Sequence, residues 1–179
     1  HGEGERTDGK DLVAQARALG YAVVHTRAEL AALPADARRV LGVFAHHHTF
    51  HDEPEERLRE QGLPLYVAEA PTVGEMTAAA LAILSRHGSR FLLVAEEEGT
   101  DNFSNVNNAA GTIEALRRAD AAYGVARDYL QRHPDTLLLT AADSDASACR
   151  TDARSSICPW GEMSWSRAKG TKRSRRCLR

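Results

Sequence analysis

Three short apolar runs, Val40-Leu-Gly-Val-Phe44, Phe91-Leu-Leu-Val-Ala95 and Thr136-Leu-Leu-Leu-Thr140, are separated by stretches whose apolar residues recur at helical spacing. Continuous runs of this length suit strands covered on both faces, as in parallel sheets. Strands alternating with helices specify an α/β fold with a largely parallel sheet. The rest of the pattern agrees with this reading. Helical spacing covers residues 11–19 and stops at Gly20, and residues 21–25 read as a further strand. A short helix at 27–33 ends at Pro34, and one at 55–61 closes at Gly62 and Pro64. Thr72 and Glu75 have capping-box spacing, which predicts a helix from there to about residue 86. A long Ala-rich helix is expected at 113–130.

A chain of 179 residues with 42% hydrophobic content can bury one sizeable core. A net charge of -2 with 27% charged residues fits a globular protein, and no apolar run approaches the roughly 20 residues of a membrane helix. The N-terminus has neither a starting Met nor a basic-then-apolar signal stretch, as expected of a processed or truncated chain. Cys149, Cys158 and Cys177 all fall near the C-terminal end, so neither a disulfide framework nor a thiolate metal site is expected before residue 147.

Composition shifts abruptly at residues 149–150. Residues 1–148 read as one partial α/β domain, and residues 149–179 as a basic tail holding Trp160 and Trp165. In that tail Arg154, Arg167, Lys169, Lys172, Arg173, Arg175, Arg176 and Arg179 face only Asp152 and Glu162, without periodicity. It reads as a solvated, disordered tail or as an out-of-frame translation. Nucleic-acid binding fits least, because such basic patches need a scaffold to present them.

In parallel α/β sheets, ligands sit beyond the carboxyl ends of the strands. One such end carries Glu96-Glu97-Glu98-Gly99-Thr100-Asp101, followed by Asn102, Asn105, Asn107 and Asn108. The other carries Asp143-Ser144-Asp145. Grouped carboxylates and amides suit hard divalent cations. Read singly, Glu97, Glu98 and Asp145 are solvated charges and the asparagines are helix caps. Taken together, the two ends predict a metal site.

Four blocks in this order resemble the alkaline phosphatase family: Leu41-Gly-Val-Phe-Ala45, Pro71-Thr-Val-Gly-Glu-Met-Thr77, Phe91-Leu-Leu-Val-Ala-Glu96 and Thr136-Leu-Leu-Leu-Thr-Ala-Ala-Asp143. Residues 9–33 fit the helix-strand-helix that leads into the first block. The resemblance implies a three-layer sandwich about a largely parallel central sheet, incomplete in this chain. It implies metal-dependent hydrolysis of phosphate monoesters, with Glu96 matching the magnesium ligand, Asp101 a first-zinc ligand and Asp143 a second-zinc ligand. Where the family has zinc-binding histidines, this chain has Asn105 and Ser144. Zinc prefers nitrogen and sulfur donors, so Glu96, Asp101, Asn105, Asp143 and Ser144 would favour magnesium, calcium or manganese.

The family's nucleophilic serine is expected upstream of His1, and its last zinc histidine well downstream of Asp143, where this chain has none. No catalytic residue is therefore assigned, and these residues alone are expected to be inactive. The alternatives are a noncatalytic metal-binding remnant, and a phosphodiester or sulfate ester hydrolase of the same superfamily. The resemblance also implies a periplasmic or secreted location and allows a homodimer for the full-length protein, with no nucleic-acid or membrane partner. The His46-His47-His48-Thr49-Phe50-His51 stretch reads as a polar loop after a strand, with a transition-metal site as the competing reading.

Overall fold

The computed structural model describes residues 6–87 and 90–142. The boundary at 148/149, the basic tail, Asp143 and Ser144 lie outside the described residues.

The chain opens with helix α1 (Leu12–Ala18), whose first turn is closed by the Asp11 carboxylate accepting from the Ala14 amide at 2.9 Å. Strand β1 (Ala22–Val24) follows. Thr26 then caps helix α2 (Arg27–Ala31) in a full capping box with Glu29. Strand β2 (Val40–Gly42) lies parallel to β1, with Ala22 opposite Val40, Val23 opposite Leu41 and Val24 opposite Gly42. This β-α-β unit is the parallel pairing that the alternating pattern predicts.

The run at residues 40–44 is expected to be covered on both faces. Instead Val40 and Leu41 are half-buried and Gly42 is exposed, because the sheet has two strands among the described residues. Residues 91–95 and 136–140 also depart from expectation: neither forms a ladder among the described residues. A strand is defined by the hydrogen bonds of its neighbour, and no such neighbour is described. The result is apolar surface in water, with Leu92 87%, Val94 80%, Leu137 78% and Leu139 79% exposed.

Helix α3 (Glu55–Gln61) ends at Gly62, and helix α4 (Val73–His87) starts at the expected capping box. There the Thr72 amide donates to Glu75 Oε2 at 2.7 Å, and the Glu75 amide donates to Thr72 Oγ1 at 3.2 Å. Helix α5 (Gly99–Asn105) occupies part of what reads as a loop beyond a strand. Helix α6 (Ala109–Arg132) is longer at both ends than its apolar repeat suggests.

Helix α6 packs along both α4 and α5. On the α4 side, α6 buries Ala122 and Tyr129 while α4 buries Val73, Thr77 and Leu81; Gly74 lies against the Ala121–Ala122 backbone, and the Ser85 hydroxyl donates to the Tyr129 hydroxyl at 2.9 Å. Against α5, the Phe103 ring is fully buried and lies so close over Gly111 that a Cβ there would collide with it. Phe103, Phe50, Tyr66 and Ala115 form one core cluster, with the three ring centroids 5.2 to 5.7 Å apart. Phe50 and Tyr66 face each other across an isolated antiparallel bridge, which carries the loop after β2 onto this core. The core therefore lies directly beneath the acidic turn at residues 96–101.

Candidate metal centre

The three consecutive glutamates before α5 have different environments. Glu96 and Glu98 are exposed, whereas Glu97 is half-buried. Glu97 Oε1 accepts from the Tyr66 hydroxyl at 2.9 Å and from the Gly99 amide at 3.2 Å. The Thr100 hydroxyl donates to the Glu97 carbonyl at 3.1 Å. Burial pushes the Glu97 carboxyl above its ordinary range, opposed by the Tyr66 and Gly99 hydrogen bonds. Burial also raises the Tyr66 hydroxyl strongly, and the nearby Glu97 charge adds to it. The Arg118 guanidinium lies 3.5 Å from the Tyr66 ring centroid, and its Nε donates to Glu114 at 3.0 Å.

These groups border a cleft of about 190 Å³, lined by Glu96, Glu97, Glu98, Arg118, His47 and His48 among others. Asp101 sits in the first turn of α5. Its Oδ1 is buried and has no hydrogen-bond partner among the described residues. A buried carboxylate oxygen left without a partner is costly, and a cation is the partner that would offset that cost. Among the described residues, this orphaned oxygen is the one feature that a divalent cation would satisfy.

Two of the asparagines near this turn hold neighbouring segments together. Asn108 is fully buried and caps α6, accepting from the Gly111 amide at 2.8 Å while donating to the Glu53 carbonyl at 3.0 Å. Asn102 donates to Asp52 at 3.2 Å. Both tie the loop after β2 to the α5–α6 corner. Asn105 closes α5 and is exposed.

Of the five residues expected to hold metal, Glu96 lines the cleft, Asp101 lies in α5 and Asn105 ends that helix. Among the described residues, no three His, Cys, Asp or Glu side chains gather closely enough to hold an ion. The described part of the expected site is therefore open, with Asp143 and Ser144 outside it.

The histidine loop engages its own surroundings: His46 and His47 meet edge to face at 4.5 Å, and His48 stacks on Phe50 at 4.8 Å. His51 Nδ1 lies 2.7 Å from the Pro64 carbonyl. Tyr66 and Arg118 were not singled out by the sequence. Their partner Glu97 is 31 positions from Tyr66, and no local spacing reveals that contact.

The family model for alkaline phosphatase matches residues 1–174. The chain belongs to the alkaline phosphatase family. Streptomycin-6-phosphate phosphatase of Streptomyces griseus is 31% identical over 154 residues, covering 75% of this chain and 33% of that protein. Alkaline phosphatase H of Pseudomonas aeruginosa is 27% identical over 151 residues, covering 77% and 32%. The crystal structure of Thermus thermophilus alkaline phosphatase superposes with a TM-score of 0.60 at 38% identity, covering 73% of this chain and 26% of that one. The chain thus spans about a third of the length of these two curated relatives. Its α/β architecture, with a small parallel sheet, is an incomplete alkaline-phosphatase-like fold. No helix among the described residues is long and apolar enough to cross a membrane.

Proposed function

We propose that this chain supplies part of the metal site of a phosphate monoester hydrolase, and that these 179 residues by themselves do not turn over substrate. The observation that carries the reading is the buried Oδ1 of Asp101, unpartnered among the described residues, in a chain of the alkaline phosphatase family. Glu96, Asp101, Asn105, Asp143 and Ser144 are the residues assigned to hold the ion. All five are oxygen donors, which favours magnesium, manganese or calcium over zinc. A bound divalent cation supplies electrostatic stabilisation to the charge that develops as a phosphate ester is cleaved.

The chain's own residues prepare that site. Asp101 holds a carboxylate oxygen away from water. Glu96 offers an exposed carboxylate to the cleft. Thr100, Gly99 and the carbonyl of Glu98 fix the start of α5 through hydrogen bonds within the turn.

Calorimetric titration with Mn²⁺, paired with a p-nitrophenyl phosphate assay, tests the reading. Saturable binding that Asp101→Asn removes, with no phosphate release by the chain alone, is expected. Phosphate release by these residues alone would overturn the inactive part of the reading. Equal Mn²⁺ binding by the parent and the Asn variant would overturn the metal assignment.

A further inference from the structure

We propose that Tyr66 and Glu97 form a positioning clamp that holds the acidic turn in the geometry metal binding requires, an inference that rests on the metal reading above. Glu97 lies between Glu96 and Asp101 in sequence, but its carboxylate serves the protein interior. Its Oε1 already accepts two hydrogen bonds, from the Tyr66 hydroxyl at 2.9 Å and the Gly99 amide at 3.2 Å. Of the three consecutive glutamates, it is the one withdrawn from solvent.

Tyr66 is in turn held from three sides. The Phe50 and Phe103 rings lie 5.7 Å from its own, and the Arg118 guanidinium covers its face at 3.5 Å. Arg118 keeps that place by donating to Glu114 at 3.0 Å, and its side chain is 20% exposed. Gly99 completes the clamp. A Cβ there would collide with the Tyr66 hydroxyl and come within 2.9 Å of Glu97 Oε1 and 3.2 Å of the Ala115 Cβ. The absence of a side chain at 99 is what lets the hydroxyl and the carboxylate meet.

The clamp therefore joins the bridge at Phe50 and Tyr66, the turn at 96–99 and helix α6 at one point. Glu96 precedes that point and Asp101 follows it, so their relative placement depends on it. Ligand carboxylates oriented by a fixed second set of hydrogen bonds bind metal more tightly than loose ones. Tyr66 and Glu97 are positioning residues and need not touch the ion.

Tyr66→Phe removes only the hydroxyl and keeps the ring in the core. Ser85→Ala is the matched control, because it deletes a 2.9 Å hydroxyl contact to Tyr129 on the α4–α6 face. Mn²⁺ affinity of the full chain is measured calorimetrically for the parent, Tyr66→Phe, Ser85→Ala and Asp101→Asn. Amide hydrogen exchange of the metal-free chain is followed over residues 97–102. The clamp predicts about tenfold weaker Mn²⁺ binding in Tyr66→Phe, faster exchange in that window, and parental affinity in Ser85→Ala.

Parental affinity in Tyr66→Phe alongside lost binding in Asp101→Asn overturns the clamp and leaves the metal reading standing. Equal weakening in Ser85→Ala also overturns it, since the effect would then be general loosening. If the parent and Asp101→Asn bind Mn²⁺ alike, the metal reading fails and takes the clamp with it.

Discussion

Glu97 carries its charge in a half-buried place, and the consequence is a pH dependence of a definite sign. Its folded pKa is raised above the ordinary 4.5, chiefly by burial. A carboxyl raised in this way stabilises the fold fully below the unfolded value, and that contribution is lost as pH rises through the folded value. Glu97→Gln cannot ionise. The melting temperature of the Gln variant relative to the parent is therefore expected to climb as pH rises above the ordinary carboxyl value of 4.5. A flat difference across that rise would show that Glu97 ionises as freely in the folded chain as in the unfolded one. Phe103 anchors the core. Its ring is fully buried against Phe50, Tyr66 and Gly111. Phe103→Ala is expected to cost about 3–5 kcal/mol in urea unfolding. Glu96, Asp101 and Asn105 were legible as candidates because a local run rich in acids and amides also resembles the family's metal-ligand positions. The clamp was not, since Tyr66, Glu97 and Arg118 meet only once the chain has folded.

At the scale of elements, local signals were readable wherever the hydrogen bonds are local. Thr72 and Glu75 have a capping box written into their spacing, and the structure closes it with reciprocal bonds at 2.7 and 3.2 Å. Thr72→Ala is expected to lose about 1 kcal/mol, measured by urea denaturation. Arg27 also reaches Glu75 at 3.1 Å, but both side chains are well exposed. Arg27→Ala should therefore change stability by less than about 1 kcal/mol. Helix α5 was hidden because Gly, Asn and Ser are weak helix formers, and its stability comes from burying Phe103 and Ser104. The runs at 91–95 and 136–140 have strand composition, but a strand also needs a neighbour. Sequence pattern reports the composition and is silent on the neighbour.

For the whole molecule, those two runs are the main liability. Leu92, Val94, Leu137 and Leu139 each place most of their surface in water. Exposed apolar runs of strand composition invite self-association. The purified chain is expected to elute above monomer size in light-scattering chromatography, and Leu92→Lys with Leu137→Lys should shift it toward monomer. A monomeric parent with a sharp, reversible melt would contradict this. The parallel β1–β2 unit and the α4–α6 and α5–α6 packing form the part of the family fold that the described residues complete. Matching about a third of its curated relatives' length, the chain brings the acidic turn at Glu96–Glu98 to a cleft, and the helix that follows holds Asp101, whose Oδ1 has no partner among the described residues.

The most direct test is the melting temperature of the chain and of Asp101→Asn, each in EDTA and in Mn²⁺. A ligand held only by the folded state at about a hundred times its Kd stabilises by about 2.7 kcal/mol. The prediction is that Mn²⁺ raises the melting temperature of the parent and leaves Asp101→Asn unmoved, while in EDTA the Asn variant melts no lower than the parent. The same Mn²⁺ shift in both proteins, or none in the parent, would contradict a metal site built on Asp101.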